Sequence, residues 1–154
     1  MVLGCFANIV SYTDRGVLSL AIVTMQGRLP WNFSDEAQGI ALSAFFMGYA
    51  CTQILGGMLS RAFGPKIVIC LATAIWSLAT LATPSAAVSS LGMLCAARVL
   101  LGLAEGVLLP CLHDLACAWV PPHERSTAAS LITSGQFLGQ MIAMAAAPLV
   151  SVQW

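Results

Sequence analysis

The sequence predicts an all-α integral membrane protein with about five transmembrane helices, and three observations support that fold class. Of its 154 residues, 59% are hydrophobic. Only 8% are charged, whereas about 25% of the residues in an ordinary soluble domain are charged. Apolar runs of about 20 residues recur along the chain, and a helix needs that length to cross a hydrocarbon layer of about 30 Å.

The apolar runs divide residues 1–154 into five predicted spans separated by short connections. The connection between the third and fourth spans, Pro84 to Ala87, carries no charge. The predicted spans cover residues 2–25, 39–59, 67–83, 88–112 and 128–150.

Charge and cysteine content exclude several classes of function. Six Lys and Arg residues balance six Asp and Glu residues, so the chain offers no basic surface for nucleic acid. The six cysteines form no C-x-x-C pair and are interpreted as free, small apolar residues. The cysteines and histidines between positions 111 and 123 fit no common zinc spacing. We therefore expect no metal, no cofactor and no enzymatic activity.

Two charged residues, Arg98 and Glu105, lie in the fourth span, which is otherwise uncharged. A charged side chain at the centre of a bilayer costs roughly 2.5–3.5 kcal/mol, which indicates a path for a substrate, an ion or a proton. Seven residues of α-helix correspond to about 20° of rotation and roughly 10.5 Å of rise, so both charges share one face. Gly102 lies between them and leaves a notch without a side chain, which suits an anion and a proton.

Helix packing is the alternative interpretation of the same stripe. Gly102 and Gly106 form a G-x-x-x-G pattern, which brings membrane helices into close contact. The two charges would then be neutralised by neighbours such as Asp14 and Arg15. Packing and transport are compatible, and we expect both.

Polar residues also share one face of the first span. Asn8, Ser11, Arg15 and Ser19 are spaced by three, four and four residues, which aligns them at about 100° per residue. Asp14 lies about 100° away from Arg15. The face either packs against other helices through hydrogen bonds or lines a water-filled path, and its central arginine favours the path.

Weaker polar stripes occur in the second and fifth spans. Each is interpreted first as interhelical hydrogen bonding and second as cavity lining. The candidates for cavity lining are Tyr49 and Gln53 in the second span and Gln136 in the fifth, in addition to Asn8, Ser11 and Ser19 in the first.

Four motifs follow one another along the chain. They are Asp14-Arg15-x-x-Leu18-Ser19, Phe45-Phe46-x-Gly48-Tyr49, Arg98-x-x-x-Gly102-x-x-Glu105-Gly106 and Trp119-x-Pro121-Pro122-x-Glu124-Arg125-Ser126. Together they resemble the first, second and fourth helices, and the loop after the fourth, of anion:cation symporters in the major facilitator superfamily. That family includes sodium-phosphate cotransporters, sialin, vesicular glutamate transporters and plant-type anion transporters.

The resemblance implies twelve helices in two six-helix halves that rock around a central site to give alternating access. This chain would supply about five helices of the N-terminal half. Its expected partners are the lipid bilayer, a small anionic substrate, a coupling proton or sodium ion, and the missing C-terminal half. The expected function is secondary active transport of anions such as phosphate or carboxylates. The alternative is a truncated, non-transporting membrane protein that assembles with or regulates a full-length transporter.

The same resemblance assigns roles to four residues. Arg15 and Arg98 are expected to bind the anionic substrate, because the planar guanidinium group can make two charge-assisted hydrogen bonds to a carboxylate or phosphate. Glu105 and Asp14 are expected to carry the coupling proton. Arg98 and Glu105 resemble the pair that couples protonation to substrate binding and helix movement.

Overall fold

The computed structural model describes residues 2–24 and 34–153, with side-chain positions for residues 2–17 and 34–146. Regular structure within these ranges is helical throughout, as the apolar runs predict. The helices are α1 (Val2–Thr24), α2 (Asp35–Phe63), α3 (Pro65–Ser89), α4 (Leu91–Gly106), α5 (Leu108–Trp119) and α6 (Arg125–Gln153), with a 3₁₀ turn (Pro122–Glu124) before α6.

Three helical segments among the described residues are long and apolar enough to cross a membrane. They are α2, α3 and the segment Leu91–Trp119, which comprises α4 and α5. The first and fifth predicted spans correspond to α1 and α6. Met25, the last residue of the first predicted span, lies outside the described residues.

The chain forms two compact units. One contains α2, α3, α4 and α5 as far as Leu115, and the other contains α1, the end of α5 and α6. Within the first unit, α4 packs against both α2 and α3. Within the second unit, α1 packs against α6.

Single-residue links join α2, α3 and α4. Gly64 separates α2 from α3 and has a φ of +83°, a conformation that favours glycine because it has no Cβ. Ser90 separates α3 from α4, and its hydroxyl oxygen accepts a hydrogen bond from the Met93 N–H at 3.3 Å. This contact is an N-cap, which satisfies one of the free N–H groups at the start of α4.

Two apolar clusters hold α4 and the start of α5 against the neighbouring helices. Rising residue numbers on α3 meet falling numbers on α4, so these two helices are antiparallel. One cluster contains Phe45, Trp76, Ala79, Leu101 and Ala104, and the other contains Val68, Ala72, Val107 and Cys111.

The predicted connection at Pro84 to Ala87 is wrong, because these residues continue α3 to Ser89. Pro84 lacks an N–H group and therefore removes one bond of the helical ladder. Membrane helices tolerate proline where nearby Ser and Thr side chains and local adjustments compensate. Immediately before Pro84, the Thr83 Oγ1 donates to the Ala79 carbonyl oxygen at 2.8 Å, and the helix continues through the proline to Ser89.

The helix that carries Arg98 and Glu105 differs from the fourth predicted span, residues 88–112. The first two residues of that predicted span belong to α3. The helical segment that carries Arg98 and Glu105 continues beyond Leu112 to Trp119, with an interruption at Val107. Pro110 explains the interruption, because it cannot donate to the Gly106 carbonyl and its ring crowds that carbonyl. Glu105 therefore lies one residue before the end of α4.

Candidate functional site

Arg98 and Glu105 are buried on one stripe of α4, with only 3% of each residue exposed. The stripe repeats at intervals of four and three residues and continues into α5. Its other members are Leu94, Leu101, Leu108 and Leu112, all of which are buried. A cation and a carboxylate thus lie among leucines, where water contributes little to their solvation and each interaction with a polar group is strengthened.

The notch predicted at Gly102 is filled by the backbone of α2. A Cβ atom at Gly102 would clash with the Phe45 carbonyl oxygen and lie 2.9 Å from the Tyr49 nitrogen. The packing alternative is therefore the one that the structure shows for Gly102. The sequence could not identify this neighbour, because a glycine pattern does not specify the helix that approaches it.

Glycines on α2 make the reciprocal contacts. A Cβ atom at Gly48 would clash with the Val99 carbonyl oxygen and lie 3.0 Å from the Leu103 nitrogen. Gly56 packs closely against the start of α5, because a Cβ atom at Gly56 would lie 2.9 Å from Pro110 Cγ. These contacts fix the backbone that carries Arg98 and Glu105 directly against a second helix, which pre-organises the position of both side chains.

The polar residues of α2 have different environments. The Tyr49 ring is partly buried and stacks on the Phe45 ring, with centroids 5.9 Å apart and planes 26° apart. Gln53 is exposed. Cavity lining by these two residues remains a prediction, and the stacking gives Tyr49 a packing role in addition.

Arg15 and Asp14 are partly buried on α1. The Arg15 guanidinium carbon lies 4.5 Å from the centroid of the Tyr12 ring, which is a cation–π contact. Stacking of this kind uses the face of the guanidinium group and not its N–H edges. Tyr12 is not among the predicted site residues, although its position three residues before Arg15, on the same helix face, was a signal for this contact.

Asn8 and Ser11 are almost completely buried, each with 1% exposure. Asn8 Nδ2 donates a hydrogen bond to the Ile132 carbonyl oxygen of α6 at 2.9 Å. Nearby, Thr13 Oγ1 donates to the Gly139 carbonyl oxygen at 3.1 Å. Asn8 therefore joins α1 to α6 through the interhelical hydrogen bond that was the alternative to cavity lining.

The structure thus brings the predicted residues together in two groups. Arg98 and Glu105 share α4 in one unit, and Asp14 and Arg15 share α1 in the other. Gln136 is partly buried on α6, and the Ser19 side chain lies outside the described positions. Across the described side chains, no group of three His, Cys, Asp or Glu residues is arranged to hold a metal ion.

Comparison with known families accounts for this combination of apolar helices and buried charges. The sequence model of the Major Facilitator Superfamily matches residues 4–154 of this chain. The chain belongs to the Major Facilitator Superfamily. It is accordingly a multi-pass integral membrane protein of a transporter family. The predicted all-α membrane fold and the resemblance to anion transporters are confirmed.

Individual relatives narrow the comparison to plant anion transporters. The chain is 42% identical over 140 residues to a probable anion transporter 4, chloroplastic, of Arabidopsis thaliana, covering 91% of the chain and 26% of that relative. It is 37% identical over 151 residues to an Arabidopsis chloroplastic ascorbate transporter, covering 97% and 28%. It is also 37% identical over 155 residues to the Arabidopsis sodium-dependent phosphate transport protein 1, chloroplastic, covering 100% and 30%. The chain therefore spans between a quarter and a third of the length of these relatives.

Proposed function

We propose that this chain forms part of the N-terminal half of a secondary active transporter for small anions such as phosphate or carboxylates. The observation that carries the proposal is the burial of Arg98 and Glu105 on one stripe of an apolar helical segment. Relatives named as transporters of anions, ascorbate and phosphate support the same substrate class. The complete site would also require groups from the second half of the fold.

Arg15 and Arg98 bind the anion in this mechanism, and Glu105 and Asp14 carry the coupling proton. Protonation of Glu105 removes a negative charge from the stripe that otherwise offsets Arg98. The guanidinium charge of Arg98 is then available to an anion. Proton and anion consequently enter together, because each one reduces the cost of burying the other.

A sodium ion is the second candidate for the coupling ion. The relative named a sodium-dependent phosphate transport protein favours it. In that case the carboxylates of Glu105 and Asp14 would attract the cation instead of binding a proton. The two forms of coupling differ in the gradient that drives uptake.

The anion-binding role is tested with Arg15→Ala and Arg98→Ala in the complete transporter, reconstituted into liposomes. Removing one partner of a buried charge pair costs about 2–5 kcal/mol, so uptake of labelled phosphate or carboxylate should fall about thirtyfold or more. Arg15→Lys keeps the charge but loses the planar fork, and should retain only part of the uptake. Normal uptake by correctly inserted Arg15→Ala and Arg98→Ala would contradict the role.

Coupling is tested with Glu105→Gln, which keeps the shape of the side chain and removes its charge. Anion exchange across the liposome membrane should continue, whereas accumulation driven by a proton or sodium gradient should be lost. Glu124→Gln is the matched control, because the Glu124 side chain is 64% exposed in the turn before α6. Gradient-driven accumulation that is unchanged in Glu105→Gln would contradict the coupling role.

A further inference from the structure

An apolar groove lies among α2, α3 and α4, within one compact unit of the chain. Its volume is about 410 Å³. Leu59 and Phe63 line it from α2, and Ile67 and Leu71 line it from α3. Leu103 of α4 and Val107, the residue after α4, line the third side.

The lining of the groove excludes an anionic substrate or an ion. Thr52 is the single polar residue among the twelve that line it. The Thr52 hydroxyl donates to the Gly48 carbonyl oxygen of its own helix at 3.1 Å, which leaves mainly its methyl group for a ligand. A ligand of this groove must therefore be a hydrocarbon.

The length of the groove matches one leaflet of a bilayer. From Thr52 to Phe63, α2 rises about 16 Å at 1.5 Å per residue. The hydrocarbon core of a bilayer is about 30 Å thick, so the groove extends through about half of it. One acyl chain of a phospholipid has this reach and this chemistry.

Positive charge lies at one end of the groove. Phe63 and Ile67 flank the Gly64 link between α2 and α3, and exposed Arg61 and Lys66 lie on the same turn. No acidic residue occurs between positions 60 and 67. Arg and Lys side chains extend from helix ends to the membrane interface, where they attract anionic lipid headgroups.

We propose that this groove binds one acyl chain of an anionic phospholipid, whose headgroup is held by Arg61 and Lys66. The site is separate from the stripe that contains Arg98 and Glu105, and it does not depend on the transport mechanism. Its occupant is recognised by two features at once, a hydrocarbon slot of one-leaflet length and a basic turn at its end.

The experiment counts bound lipids by native mass spectrometry on the delipidated, complete transporter titrated with phosphatidylglycerol or phosphatidylcholine. The unmodified protein should bind phosphatidylglycerol more tightly. Arg61→Gln and Lys66→Gln should each lower that affinity about fivefold and leave phosphatidylcholine binding unchanged, because each basic residue contributes about that much attraction to anionic lipid. Arg61→Lys keeps the charge and should bind normally.

The slot is tested by filling it. Ala72→Phe and Ile75→Trp place larger groups on the lining of the groove and should remove the tight phosphatidylglycerol site. Ala74→Phe is the matched control, because Ala74 is exposed on α3 and does not line the groove. Ile75 lies at the exposed rim, with 47% exposure, so its variant should fold even where Ala72→Phe does not.

Three results would overturn the proposal. Equal affinity for the two lipids would show that the basic turn recognises no headgroup. Unchanged phosphatidylglycerol binding in a folded groove-filling variant would place the lipid elsewhere. Absence of any tight lipid site in the complete transporter would mean that another part of the protein covers the groove.

Discussion

The α1–α6 and α2–α4 helix pairs are both held at glycines, but they use their polar residues differently. In the α1–α6 pair, Gly135 lies against Cys5, and a Cβ atom there would be 2.7 Å from the Cys5 carbonyl oxygen. Asn8 adds a hydrogen bond from its buried amide to Ile132. In the α2–α4 pair, Gly48 and Gly102 bring the two backbones into contact.

A polar residue in an apolar helix is therefore not by itself a sign of a binding site. Asn8 is used to attach one helix to another, as expected where helices cannot rely on the hydrophobic effect for association. On α4, small residues provide the attachment. Arg98 and Glu105 are buried on the same helix, and the cost of placing two charged side chains in an apolar helix favours a functional role for them.

The largest effect is expected for Gly102→Leu, which inserts a side chain where α2 and α4 touch. Overpacking of this kind should lower the free energy of unfolding by about 3 kcal/mol, measured by denaturant titration of the complete transporter in detergent micelles. Gly57→Ala is the control, since a Cβ atom at Gly57 meets no atom within 4 Å and alanine favours helix by about 0.5–1 kcal/mol. Equal stability of Gly102→Leu and the parent protein would refute the tight α2–α4 contact.

A smaller loss of stability is expected for Asn8→Ala, which removes the hydrogen bond between α1 and α6. Interhelical hydrogen bonds in membrane proteins contribute about 0.6 kcal/mol on average and up to about 1.7 kcal/mol, and the complete burial of Asn8 favours the upper end. The same denaturant titration measures it. Thr13→Val should cost less, because the single hydroxyl proton of Thr13 is shared between the Gly139 carbonyl oxygen of α6 and the Ile9 carbonyl oxygen of its own helix. A larger cost for Thr13→Val than for Asn8→Ala would reverse the importance of the two contacts.

The smallest effect concerns the arginine on α1. Tyr12→Leu removes the ring beneath Arg15, and loss of a partly exposed cation–π contact of about 0.5–1 kcal/mol should weaken anion affinity two- to fivefold. Tyr12→Phe keeps the ring face and should bind the anion normally. The test compares the KM and kcat of liposome uptake, and an orienting role predicts a change mainly in KM. A similar loss in both variants would instead indicate that the Tyr12 hydroxyl is the important group.

The sequence was sufficient for the fold class and for the buried charges, because both follow from the cost of placing groups in hydrocarbon. The lengths of the apolar runs predict helices, and the expense of Arg98 and Glu105 draws attention to α4. Pro84 misled the prediction, since a membrane helix can continue through a proline, as α3 does. The contact that fills the Gly102 notch depends on tertiary packing, which one helix pattern does not contain.

The interruption at Val107 has a consequence for movement. A regular helix resists bending, because opening one side stretches hydrogen bonds between successive turns. Pro110 has already removed the bond that would cross this point. The segments on either side of Val107 can change their relative angle without breaking that bond, and Glu105 lies immediately beside the joint. In the proposed mechanism, a change of charge on Glu105 would therefore act next to a joint in the helical segment Leu91–Trp119.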